Sequence, residues 1–407
     1  SAEIVALTTD QVVSFTTAQI VALATRNIAV LTSDQVAAIE TADLAGLATT
    51  KLNALSTTQF GALTSAQVVN LTVGQISSLE TADLAALSTS NVAQLLKAQV
   101  EALTTGEIQA LGTSQLQALT TANVAALSTT QIGGLDTTNQ IQAITTAQIA
   151  ALSSDQIVGI STDQIQALST AQVQAMVADQ VAKLTTGQME KLSSSQLRAI
   201  STTNVGVLSS DQVNALSTTN LNLLETAQIA AISAAVVAAL NTTKFQALST
   251  AQISSLTADQ ISALTSTEVQ KLTTDHVKVL SSSQIQALTT ANVAALGSSQ
   301  LQALNTDQVA TLTNNTVASL TSTQLNYLTT TQVGYLSDAV VSGLSSTQLQ
   351  GLTTTLVNAL NTAQVRALTS TEVSKLTTGQ IAAMRTDQIA ALDVADVVGM
   401  STDQVTA

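Results

Sequence analysis

The 407-residue chain has no cysteine, no proline and no tryptophan. Lacking cysteine, it has no disulfide and no thiolate to serve as nucleophile or metal ligand, which is compatible with secretion. Lacking proline, and with only 16 glycines, it has neither polyproline spacers nor flexible Gly/Ser linkers. Aromatic residues are reduced to Phe15, Phe60, Phe245, Tyr327 and Tyr335, too few rings for a compact globular core of this length. Apolar runs stay far below the roughly 18–20 residues of a membrane span, and no signal-peptide pattern follows Ser1. Basic residues number 12 against 26 acidic ones, spread without blocks for a net charge of −14. That balance excludes nucleic acid and anionic membrane as partners, because both require clustered Lys and Arg.

What the chain does contain is one sentence of eight residues, Ser/Thr-Thr-x-Gln-Val/Ile-x-Ala-Leu, repeated from end to end. Ser161–Leu168 (STDQIQAL) and Ser249–Leu256 (STAQISSL) are examples. The closing Leu falls at 7, 15, 23 and onward to 135; one extra residue in 136–144 (DTTNQIQAI) shifts the frame, which then runs from 144 to Met400. Such a fixed short period is the mark of a solenoid or array. No linker or composition shift divides residues 1–407, so the expectation is a single continuous repeat domain with a local bulge or slight bend near Asn139. Both ends cut the repeat, Ser1 at its second position and Ala407 one residue before its Leu. Two readings of this stand open: a window from a longer array, or open ends that stack on other copies.

Within the octad, Ser/Thr at position one and Gln at position four form a capping box, and the preceding Leu and following Val/Ile form a hydrophobic staple around it. Asp at position three, as in Asp155 and Asp163, adds negative charge to the first turn of a helix. The remaining six or so residues make a helix of about 9 Å, too short to persist alone, so it must lay positions five, seven and eight on neighbouring octads. The fold expectation is therefore all-α, an elongated solenoid of about fifty very short capped helices. With two helices per layer, helices about 8–10 Å apart give a rod of roughly 200–250 Å. A continuous helix is the poorer reading, since Ser-Thr pairs would interrupt it every eight residues. A β-solenoid with two octads per coil is the alternative; Val, Ile and Thr suit strands, but Ala, Gln and Leu favour helix and the corners lack Gly, Asn and Asp.

No pattern for catalysis or for a cofactor emerges. His276 takes the Gln position of Thr273–Leu280 (TTDHVKVL) and reads as a solvent-facing variant with no nucleophile beside it. The carboxylates recur as capping residues, and no phosphate-binding, zinc-protease or calcium motif is present. Sequons at Asn70, Asn241 and Asn314 are what a Thr-rich chain contains by chance. The expectation is a protein that is not an enzyme, with no cofactor and no metal. Position seven carries Lys at 183, 191, 271 and 375 and Tyr at Tyr327 and Tyr335, which places it at the rim of the core. The two tyrosines, one octad apart, are the candidate surface contact patch.

Runs such as Leu288–Leu296 (LTTANVAAL) and Leu368–Leu376 (LTSTEVSKL) resemble the Thr/Gln/Leu octapeptide arrays of very large secreted or cell-surface bacterial proteins. The resemblance implies an extracellular or surface role as stalk, adhesin body, sheath or fibre, and no active site. Two functional expectations follow. One is a structural rod assembling end to end or side by side with copies of itself. The other is a binding scaffold that docks carbohydrate, protein or, as a β-solenoid, an ice face. Gln115–Leu127 recurs almost unchanged as Gln284–Leu296, the kind of duplication that lengthens an array.

Overall fold

Each octad folds as its capping box dictates. The computed structural model describes residues 2–407, and these hold 51 α-helices of four to six residues and no strand. In Ser161–Leu168, Ser161 is extended (φ −67°, ψ 161°) and caps the helix Thr162–Ala167. Its Oγ accepts from the Gln164 N–H at 3.1 Å, while Gln164 Oε1 accepts from the Ser161 N–H at 2.8 Å. Leu168 then leaves the helix in extended conformation (φ −60°, ψ 141°), and Ser169 opens the next one. Two extended residues thus make the whole connection. Among the described residues no φ is positive, so the turns require no glycine, and the scarcity of Gly and Pro costs the fold nothing.

Positions five and eight fill the core. Ile165 is fully buried and Leu168 nearly so, while Ala167 is half-buried and Gln166 exposed. Burying one such aliphatic side chain contributes about 1.5–3 kcal/mol, and every octad repeats the pair. These helices are held by tertiary packing, since none is long enough to be stable alone.

Packing joins helices three apart in the chain. Ser154–Gly159 rests on Ala178–Lys183, and Thr162–Ala167 rests on Thr186–Lys191. Hydrogen bonding joins octads four apart: Gln196 Nε2 donates to the carbonyls of Ile165 and Leu168, at 2.8 Å each. One turn of the solenoid therefore takes between three and four octads. The expectation of two helices per layer, and the rod length built on it, do not hold. The recurring helix contacts join elements three apart, where a two-per-layer stack would join elements two apart.

The extra residue at 136–144 is absorbed locally. Residues 137–139 form a turn in which Asp136 Oδ1 accepts from the N–H groups of Thr138 and Asn139 at 2.9 and 2.7 Å. The glutamine bonds simply lengthen by one residue across the following octads. Gln140, Gln148, Gln156 and Gln164 reach carbonyls 29 residues back, and Gln172 returns to 28.

The chain divides into two compact units, 1–204 and 205–407. Each is built of the same octads. In the first, Gln67 donates to Val36 and Ile39, both at 2.8 Å; in the second, Gln260 donates to Ile229 at 2.9 Å and Ile232 at 2.6 Å.

Candidate functional site

The chemistry of this chain is concentrated at position four. A helix ends with carbonyls that have no partner within it, and in a six-residue helix these are most of the carbonyls present. The glutamine arriving four octads later supplies the missing donors. Its two functions use opposite ends of one amide: Oε1 caps its own helix, and Nε2 binds the C-terminal carbonyls of an earlier one. Gln164 does both, with Nε2 donating to Ile132 and Gly133 at 3.2 Å and to Leu135 at 2.7 Å. It is 1% exposed, so these bonds lie outside the reach of competing water.

Sequence reasoning found the capping half of this glutamine and missed the other. A signal was available. A capping box accepts Glu as readily as Gln, yet the octads overwhelmingly carry the amide, and only the amide adds a donor.

The variants at position four follow the same logic. Asn91, Asn123 and Asn204 are one methylene shorter and reach one carbonyl each, at Leu63, Leu95 and Met176, all at 2.7 Å. Lys244 donates through Nζ to Asn214 at 2.6 Å and also to Leu216, and Lys51 donates to the Val21 carbonyl. Arg385, from position one, reaches the carbonyls of Asn358 and Leu360.

His276 belongs to this set, and its expected solvent-facing placement is corrected by the structure: the imidazole is only 5% exposed. Position four points inward in most layers, so a residue placed there is usually buried whatever its polarity. Nδ1 accepts from the Thr273 N–H at 3.4 Å, and the other ring nitrogen bonds the Leu248 carbonyl, 28 residues back, as a glutamine would. Burial holds its pKa below the usual histidine value, against the opposing effects of the Leu248 carbonyl and Asp275.

Carboxyl groups also occupy position four. Asp43, Asp83, Glu107, Glu268 and Asp396 are each at most 6% exposed. Asp83 Oδ2 and Glu107 Oε1 are buried without a hydrogen-bond partner. Burial, with the Glu80 charge adding to it, pushes the Asp83 pKa up to about 6.

Position seven is the rim. Lys183, Lys191, Lys271 and Lys375 are exposed there, Tyr327 is half-buried, and Tyr335 is 54% exposed. The two tyrosines sit on successive octads, Tyr327 just beyond the helix Ser322–Leu325 and Tyr335 at the C-cap of Thr330–Gly334. In the second unit a hollow of about 370 Å³ is lined by apolar side chains including Ile381, Met384, Ile389, Leu392, Val397 and Met400. Among the described residues no three His, Asp or Glu side chains gather as a metal site would need. Among the described residues no helix is long and apolar enough to cross a membrane.

Comparison with known families gives a match in kind. A model described as the ALTTAQ repeat matches residues 4–38, 36–73, 76–113, 105–137, 158–186, 181–218, 221–258, 237–274, 277–314, 357–386 and 373–407. Its six letters are positions seven, eight and one to four of the octad, as in Ala247–Gln252 (ALSTAQ), the segment that closes one helix and caps the next. No curated protein matches the chain. With the repeat model tiling most of its length, the chain belongs to the ALTTAQ repeat family.

Proposed function

We propose that this chain is a non-enzymatic structural repeat protein working outside the cell, as the shaft of a surface stalk, sheath or filament, with copies of itself as its partner. One observation carries the reading: the buried polar side chains that recur octad after octad are engaged with the backbone of the same chain. Gln35, Gln67, Gln260 and Gln380 all donate to carbonyls 28 and 31 residues back. That is how a molecule selected for length and regularity uses its hydrogen-bonding groups.

Positions buried along the array are more open in its outermost layers. Gln11 and Gln19 are exposed, whereas Gln35 and Gln67 in the same position are buried. Ile389, Val397 and Val405, at a position that is otherwise almost always buried, are 41%, 48% and 63% exposed. The likeness to secreted octapeptide arrays supports a role outside the cell.

A second reading, a scaffold docking carbohydrate or protein, is favoured by the exposed ring of Tyr335 beside half-buried Tyr327. Its ice-binding form depended on a flat β-solenoid face and is not carried forward. Electron microscopy of the purified chain across a concentration series tests the first reading. Particles that lengthen with concentration support it. Particles of one length at every concentration overturn self-assembly and leave the scaffold reading.

A further inference from the structure

Two position-four residues lack the donor that the ladder requires. By register, Asp83 and Glu107 face carbonyls 28 residues earlier, those of Leu55 and Leu79. Asn91, one octad beyond Asp83 and of the same shape, donates through Nδ2 to Leu63 at 2.7 Å. Gln115, one octad beyond Glu107, donates to Leu87 at 2.7 Å. Glu107 spends Oε2 on its own cap, accepting from the Thr104 N–H at 2.6 Å, and its Oε1 is left buried without a partner. Asp83 Oδ2 is buried without a partner in the same way. An ionised carboxyl has no proton to give. In either position it would set an anionic oxygen against carbonyl oxygens, inside a core where an unpaired charge is costly.

We infer that Asp83 forms a proton-operated clasp in the first unit. As a carboxylic acid it donates to the Leu55 carbonyl and completes the ladder; as a carboxylate it withdraws the donor and loosens that layer. Asp83 is carried by the helix Thr81–Ala86, which packs on Thr105–Ala110.

The surroundings give neither group a cation. The helix Thr57–Gly61 below Asp83 and the helix Thr129–Gly133 above Glu107 carry no charge. Four octads before Asp83, Lys51 sends its ammonium to the Val21 carbonyl. Four octads before Glu107, the helix Val73–Ile76 is uncharged. The remaining charge nearby is Glu80, which also disfavours ionisation of Asp83. The Asp83 pKa, raised from 3.8 to about 6, agrees with this geometry. A folded-state pKa above the unfolded one means that stability is complete below the unfolded value and is lost as pH rises through about 6.

Hydrogen–deuterium exchange of the full chain, corrected for intrinsic exchange, tests the clasp between about pH 4 and about pH 7. The protection of amides in residues 48–55 and 80–87 should fall by some tens of fold across that range, within the ~100-fold limit set by two pKa units. Amides around Gln180 and Gln188, where the donor is an amide, should show no such fall. The variant D83N should abolish the pH dependence and raise protection at the upper end. A wild-type profile that D83N leaves unchanged overturns the proposal. So does a failure of that variant to fold, because Asn91 holds the same place one octad on.

Discussion

The side-chain amide of Gln67 donates to the carbonyl oxygen of Ile39 at 2.8 Å, across 28 residues of sequence. Repeated along each unit, this bond converts a row of helices too short to survive alone into a coupled stack. It satisfies carbonyls that a short helix leaves open, and it sets the distance along the chain at which octads meet.

Removing one such amide should be costly. Gln260→Ala strips the Thr257 N–H of its acceptor and the carbonyls of Ile229 and Ile232 of their donor. Orphaned buried groups cost about 1–3 kcal/mol each, offset by relaxation and water entry, so a loss of about 2–4 kcal/mol is expected. Local hydrogen exchange is the suitable readout, because distant octads are coupled only through their neighbours and global unfolding need not be two-state. Protection unchanged near residues 229–232 would refute the role given to the amide.

The local half of this arrangement was legible in the sequence and the long-range half was not. Ser161, Gln164 and Ile165 announce a capped helix start by type and spacing alone, and the structure places each as expected. Which octad Gln164 grips is a different matter. Because the pattern is the same every eight residues, it gives no sign that Leu135 is the partner. The inward direction of position four was hidden for the same reason. Glutamine is usually a surface residue, so His276 was expected in solvent. The rim position of Tyr327 and Tyr335 could be read, because residues of that size do not fit between layers.

His276 is the only histidine, so its proton resonances can be followed without assignment. Burial lowers its pKa, and the midpoint should lie below the ordinary ~6.5. A depressed folded pKa means that its contribution to stability is present above the unfolded value and is lost as pH falls through the folded one. His276→Gln should therefore protect these layers in mild acid and change little near neutrality. A midpoint at or above the ordinary value would contradict the buried placement.

Asp136 is the cap that makes the inserted residue tolerable. Its pKa is lowered, chiefly by the Asn139 N–H, with the Thr138 and Gln140 N–H groups adding to it. Asp136→Ala should cost about 0.5–2 kcal/mol, as loss of an N-cap does. The wild-type benefit is present above the unfolded carboxyl value and should disappear as pH falls through the lowered folded one. Denaturant titration of both proteins at neutral and acid pH checks this; equal stability at neutral pH would remove the capping role.

Core and surface positions should separate sharply. Phe60, at position five, is fully buried, and Phe60→Ala should cost about 3–5 kcal/mol. Val394, at position two, is 81% exposed, and Val394→Thr should stay within about 0.5 kcal/mol. Comparable effects from the two substitutions, measured by local exchange protection, would mean that the assignment of octad positions is wrong.

The spacing of octads is tested most directly by engineered disulfides, which a cysteine-free chain allows without background. A Cβ built on Gly399 lies 3.3 Å from the Ser370 Cβ, within a few tenths of an ångström of the ~3.5–4.5 Å a disulfide needs. The pair S370C/G399C should oxidise readily within one chain. The pair S370C/T386C, two octads apart as in a two-per-layer solenoid, should not. Efficient cross-linking of Ser370 to Thr386 instead, with none to Gly399, would contradict a turn of three to four octads and the amide ladder with it.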